Sequence, residues 1–96
     1  MLLKPGVDIS RLNRGIRRFL LKADVICNVY GEELVITSTY EGTHGPSSLH
    51  YANDAIDIRR SKKYKTEIYN DLRAVNPAIY DVIDEGDHIH VEHDEH

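Results

Sequence analysis

Apolar residues recur at Ile9, Leu12, Ile16, Phe19, Leu20, Ala23 and Ile26, three or four positions apart. That is the period of a helix that buries one side. The spacing predicts a helix over roughly 9–29, with room for a break near Lys22-Ala23-Asp24. Pro5-Gly6 marks an extended lead-in, Asp8 or Ser10 is placed to cap the N-terminus, and Gly31 is placed to end the helix in a left-handed turn. Leu34-Val35-Ile36-Thr37-Ser38-Thr39 is rich in β-branched residues and reads as a buried strand. Residues 40–49, rich in Gly, Ser, Thr and Pro, read as a loop. Ala55-Ile56-Asp57-Ile58-Arg59 alternates with period two, so Ile56 and Ile58 share one face while Ala55, Asp57 and Arg59 share the other. A second helix starts at Ser61, carries Tyr64, Ile68, Leu72 and Val75 on one side, and stops at Asn76-Pro77. Tyr80 to Ile83 and His88 to Glu92 are two strands joined by the turn Asp84-Glu85-Gly86, a hairpin.

These elements describe an α+β domain over residues 1–96, a small and largely antiparallel sheet with two helices on one face. If the Ile56 and Ile58 side packs on the helices, the far face carries Asp57, His88 and His90, and a metal site there becomes a possibility to weigh. No internal repeat or low-complexity tract interrupts the pattern.

Composition narrows the function more than the fold. The apolar share of 41% and charged share of 29% are ordinary for a globular chain. A net charge of −4 argues against a nucleic-acid partner, which normally meets a basic face. The basic runs Arg14 to Arg18 and Arg59 to Lys63 are short and lie in or beside predicted helices, so they read as solvated surface. Cys27 is the single cysteine, which rules out an intrachain disulfide and suits a buried, inert thiol. No apolar run approaches the roughly 20 residues that span a bilayer, so a membrane protein is not expected. Met1 to Gly6 shows no secretory h-region. The expectation is synthesis in the cytoplasm without a signal peptide, with any action on the cell wall following release.

The chemistry concentrates in two stretches, Ser48 to Asp57 and Asp87 to Glu92. His88 and His90 lie two apart on a strand, so both imidazoles emerge on one face. Asp57 is expected on that face, and His50 lies at the end of the loop feeding its strand. Imidazole and carboxylate suit a borderline-soft divalent ion such as zinc, and a catalytic zinc takes three protein ligands and keeps one open position. His50, Asp57 and one of the two C-terminal histidines meet that count. Water on such an ion would have its pKa lowered toward neutrality, and a nearby carboxylate would take its proton. Asp84, Glu85, Asp87 and Glu92 are the candidates, and spacing chooses neither among them nor between His88 and His90.

At these residues the chain resembles the zinc D-alanyl-D-alanine metallopeptidases, a superfamily that includes carboxypeptidases, dipeptidases and phage L-alanyl-D-glutamate endolysins and shares its fold with the Hedgehog signalling domain. Ser48, His50, Ala55 and Asp57 match the motif Ser-x-His-x-x-Gly-x-Ala-x-Asp, while Asp87, His88 and His90 match the second motif, Asp/Glu-x-x-His with a further His two residues before its end. Ser48-Leu49-His50-Tyr51, His88-Ile89-His90 and Val35-Ile36-Thr37-Ser38 are close to Hedgehog-type wording. The opening Leu3 to Ile9 and the ending His88 to Glu92 are similar to small phage-encoded peptidases. The resemblance runs along essentially the whole chain and is strongest at the two motifs.

The resemblance implies zinc on His50, Asp57 and His90, with Asp87 as general base and His88 stabilising the tetrahedral intermediate. It implies that His44 lines the cleft. Tyr51, beside a ligand, is a candidate substrate wall. The implied reaction is hydrolysis of a peptide bond next to a D-amino acid in bacterial peptidoglycan. Two departures bear on this. Asn53 stands where the family has Gly, a position that Asn tolerates better than other side chains. Glu41 follows Tyr40 where many relatives carry an Arg that holds a substrate carboxylate. An acid cannot make that clamp, which argues against free carboxypeptidase activity and favours an endopeptidase, another anchor such as Arg59 or Arg60, or a catalytically inactive zinc-bearing Hedgehog-like binding domain. Hedgehog-type domains bind calcium through acids in this region, which makes Glu41 a candidate for a second ion.

Overall fold

The structure is a computed structural model that describes residues 1–39 and 54–93. Five strands form one mixed sheet: β1 (Leu2–Leu3), β2 (Val35–Ser38), β3 (Ala55–Arg59), β4 (Tyr80–Asp84) and β5 (His88–His93), in the order β1-β2-β3-β5-β4. Helix α1 (Arg14–Val29) lies between β1 and β2 in the chain, and α2 (Lys65–Arg73) between β3 and β4. The β2–β3, β3–β5 and β4–β5 pairings are antiparallel. The β1–β2 pairing is parallel, so the expected extended lead-in is a short edge strand, and the sheet is mixed.

Alternation on β3 and β5 decides which side is core. Ile56, Ile58, Ile89 and Val91 are buried and join Ile16, Phe19, Leu20 and Ala23 of α1 and Ile68 and Leu72 of α2 in one apolar cluster. Asp57, His88, His90 and Glu92, the intervening residues, take the far face, as period-two geometry requires. Tyr80 ties the β4 edge to α1: its ring packs on Phe19 at 5.0 Å between centroids, and its hydroxyl donates to Gly15 O at 2.6 Å.

Both helices start later than the apolar spacing predicts. α1 begins at Arg14, not near Ile9. Asp8 does not cap it; its carboxylate accepts the Ser10 N–H at 2.8 Å, a local turn that competes with helix for the same backbone donors. Ile9 and Leu12 still face the core, but from a turn. α2 begins at Lys65, because Ser61 Oγ accepts the Tyr64 N–H at 2.9 Å and so closes a turn ahead of the helix. The first stop matches the reading, with Gly31 at φ +69° just past the end of α1. α2 ends at Arg73, ahead of the expected stop, so Val75 packs on the core from beyond the helix, and Asn76, before Pro77, adopts φ +38°. Among the described residues no helix is long and apolar enough to cross a membrane.

Cys27 is 4% exposed, and burial, with nearby carboxylates, pushes its thiol up to about 11. Little thiolate exists near neutrality, so the folded protein is expected to resist alkylation at about pH 8 and to react at least ~10-fold faster in denaturant. Rates with a thiol reagent check this; equal rates folded and unfolded would contradict it.

Candidate metal centre

β3 and β5 set the site by register. Asp57 pairs with His90, and Arg59 pairs with His88. Side chains directly opposite on one face are close enough to interact. His90 Nδ1 and Asp57 Oδ1 lie 2.8 Å apart, and His90 Nε2 lies 2.8 Å from Glu92 Oε1. His90 is thus held between two carboxylates, with Glu92 supplied by its own strand two residues on. The His90 and Asp57 side chains are 12% and 14% exposed, so this polar row is largely shielded from water.

His88 stands beside the pair. Its Nδ1 is 2.5 Å from Asp87 Oδ1, and its Nε2 turns inward, 3.9 Å from Asp57 Oδ1 and 3.7 Å from Glu85 Oε1. Glu85, from the hairpin turn, also comes within 3.8 Å of His90 Nδ1. The turn is shaped for this: Gly86 takes φ +98°, and its N–H donates to Asp84 Oδ1 at 3.0 Å. Asp87 is largely exposed, and the hydrogen bond to His88 holds its carboxyl below the usual carboxylate range.

On the other flank, β2 carries an irregularity between Ile36 and Ser38, where Thr37 is the extra residue against β3. Thr37 Oγ1 donates to Asp57 O at 3.3 Å. A cleft of about 340 Å³ follows, lined by Lys4, Thr37, Asp57, Arg59, Asp87 and His88. Among the described residues neither Lys4 nor Arg59 has an ion-pair partner. Arg60, one residue on, is committed elsewhere; it pairs with Asp84 at 3.0 Å and donates to Gly86 O, bracing the hairpin turn.

The structure therefore brings Asp57, Arg59, Asp87, His88 and His90 to one face. His44, His50 and Tyr51, together with Glu41 and Asn53, lie outside the described residues. Among the described residues no group of three His, Cys, Asp or Glu side chains is arranged to hold a metal ion. The chemistry of the donor set nonetheless fits one: Asp57 and His90 face each other closely enough to share an atom, and a carboxylate on the second ring nitrogen is the usual partner of a metal-ligating histidine. Sequence reasoning weighed Glu92 only as a proton acceptor and passed over Lys4. The i, i+2 spacing of His90 and Glu92 on one strand was the available signal for the first; the parallel pairing that carries Lys4 in left none for the second.

Without metal, the bond to Asp57 and then that to Glu92 raise the His90 pKa from its ordinary 6.5 to about 9. A raised imidazole pKa stabilises the fold fully below about 6.5, and that contribution is lost as pH rises through about 9. With chelator present, urea unfolding is expected to report a loss on the order of 2–3 kcal/mol across that window, and His90→Gln should remove most of the slope. An identical slope in the variant would contradict the assignment.

Compared with known proteins, the chain matches no family model and no curated protein.

Proposed function

We propose that the chain is a zinc-dependent peptidase that hydrolyses peptide bonds of bacterial peptidoglycan next to a D-amino acid. The observation that carries this reading is the facing pair Asp57 and His90, backed by Glu92 and flanked by His88 at the edge of a cleft. Together with the motif residues Ser48 and His50, it supplies the donor types that a hydrolytic zinc uses.

In this reading His50, Asp57 and His90 hold the ion. Bound there, zinc supplies Lewis acidity toward the scissile carbonyl and acidifies a water at neutral pH. Glu92 fixes the His90 ring, so that Nδ1, the nitrogen facing Asp57, is the one presented. Asp87 accepts from His88 Nδ1 and turns His88 Nε2 inward, where the doubly protonated ring would donate its second N–H to the oxygen that gains charge as the carbonyl becomes tetrahedral. Asp87 is the base for the attacking water and returns the proton to the leaving amine. Glu85 is the rival base on distance, since its carboxylate faces both imidazoles. Lys4 and Arg59 line the cleft with donors to spare, and they suit a substrate carboxylate, the role that Glu41 cannot fill.

Elemental analysis of untagged protein is expected to find one zinc per chain, and muropeptide digests read by mass spectrometry should show shortened stem peptides. Asp87→Ala is expected to abolish cleavage by ~100-fold or more with zinc retained. Glu85→Ala run in parallel separates the two bases, because the same loss there with Asp87→Ala unaffected would transfer the role. Glu92→Gln should weaken zinc ~10–100-fold in a chelator competition. Zinc bound without turnover on any linear or crosslinked muropeptide would instead favour the catalytically inactive, Hedgehog-like binding domain. Absence of zinc from protein purified in its presence would leave His90 as an imidazolium bridging two carboxylates and overturn the metal reading.

A further inference from the structure

The outward side of α1 is unlike the rest of the molecule. Its inner side, through Ile16, Phe19, Leu20, Ala23 and Cys27, is committed to the core. Its outer side carries Arg14, Arg17, Arg18 and Lys22, all exposed, and Leu21, Val25 and Val29, which are 67%, 63% and 76% exposed. Spacings of three and four put these seven side chains on one arc, cations toward the N-terminal half and aliphatic groups along the rest. Asp24, the only carboxylate of the helix, is half-buried on the flank. Leu21 sits between two hollows: one shared with Leu3, Ile9, Arg17 and Leu20, the other with Arg18, Lys22 and Ile79. In a chain of net charge −4 this is a local reversal of sign combined with exposed aliphatic surface.

We propose that this face of α1 docks the protein on an anionic phospholipid bilayer. The chemistry is complementary at both levels: guanidinium and ammonium groups meet lipid phosphates, while Leu21, Val25 and Val29 enter the acyl boundary, as in helices that lie in the interface plane. A second copy fits less well: a parallel two-fold contact would set four cations against four, and an antiparallel one would press the cations onto the aliphatic row with no carboxylate of the arc to meet them. A nucleic acid would use the cations but would leave the aliphatic row exposed, and the arc offers no aromatic side chain for stacking. Because α1 packs on the Ile56, Ile58, Ile89 and Val91 side of the sheet, docking turns Asp57, His88 and His90 away from the bilayer. The inference does not depend on the metal reading.

The test is co-sedimentation of the full chain with vesicles of equal parts phosphatidylglycerol and phosphatidylcholine, against phosphatidylcholine alone. Binding is expected only to the anionic vesicles, falling roughly 10-fold or more between low salt and ~0.5 M salt. The pair Arg14→Glu and Arg18→Glu should lower it roughly 10-fold or more, and Leu21→Asp with Val25→Asp should do the same, with circular dichroism unchanged. Lys62→Glu with Lys63→Glu, an equal change of charge beside α2, should leave binding within about twofold. If the aspartate pair fails to fold, the arginine pair decides. Equal binding to both vesicle types, no binding at low salt, no effect of the arginine pair, or an equal loss from the Lys62 and Lys63 pair overturns the proposal. Self-association abolished by Val25→Asp without vesicle binding, or binding to RNA alone, also overturns it.

Discussion

The register between β3 and β5 is the constraint on which the rest depends. Each strand alternates apolar and polar residues, and Asp57 lies directly opposite His90. That single alignment sends Ile56, Ile58, Ile89 and Val91 under the helices and sets Asp57, His88, His90 and Glu92 on the far face. A slip of one residue would exchange the two faces, burying carboxylates and imidazoles among aliphatic side chains and exposing four isoleucine and valine side chains. The hydrophobic core and the candidate site are therefore specified by one alignment.

Packing energy and site geometry meet most closely at the β4–β5 turn. Gly86 supplies a conformation that other residues disfavour, Asp84 anchors the turn from within, and Arg60 reaches across from the end of β3 to hold both. The result delivers Glu85 and Asp87 to opposite sides of His88. Two carboxylates that looked equivalent along the chain consequently have different roles available. Asp87 orients His88 from outside, whereas Glu85 faces into the space shared with His90. On the β2 side, the irregularity at Thr37 performs a related task by opening the cleft beside Asp57.

Two surfaces with different chemistry lie on opposite sides of the sheet. The far face gathers acids and imidazoles and is lined by two cations, Lys4 and Arg59, that have no ion-pair partner among the described residues. The helical side presents a basic and aliphatic arc on α1. A protein that rests on a bilayer through the second presents the first to whatever lies beyond the lipid.

Period-two alternation at Ala55 to Arg59 and at His88 to Glu92 was sufficient by itself to determine the strands, their inner and outer faces and the grouping of Asp57, His88 and His90, because side-chain direction in a strand follows residue parity. Helical spacing likewise determined which residues of both helices face the core. The starts of the helices escaped it, since Asp8 and Ser61 bind backbone N–H groups locally and apolar periodicity does not register that competition. Only tertiary structure decided that Leu2 and Leu3 join the sheet in parallel and bring Lys4 to the cleft, and that Glu85 and Asp87 part company around His88. Those outcomes depend on where separate strands and a turn come together in space, and spacing along one segment carries no information about its neighbours.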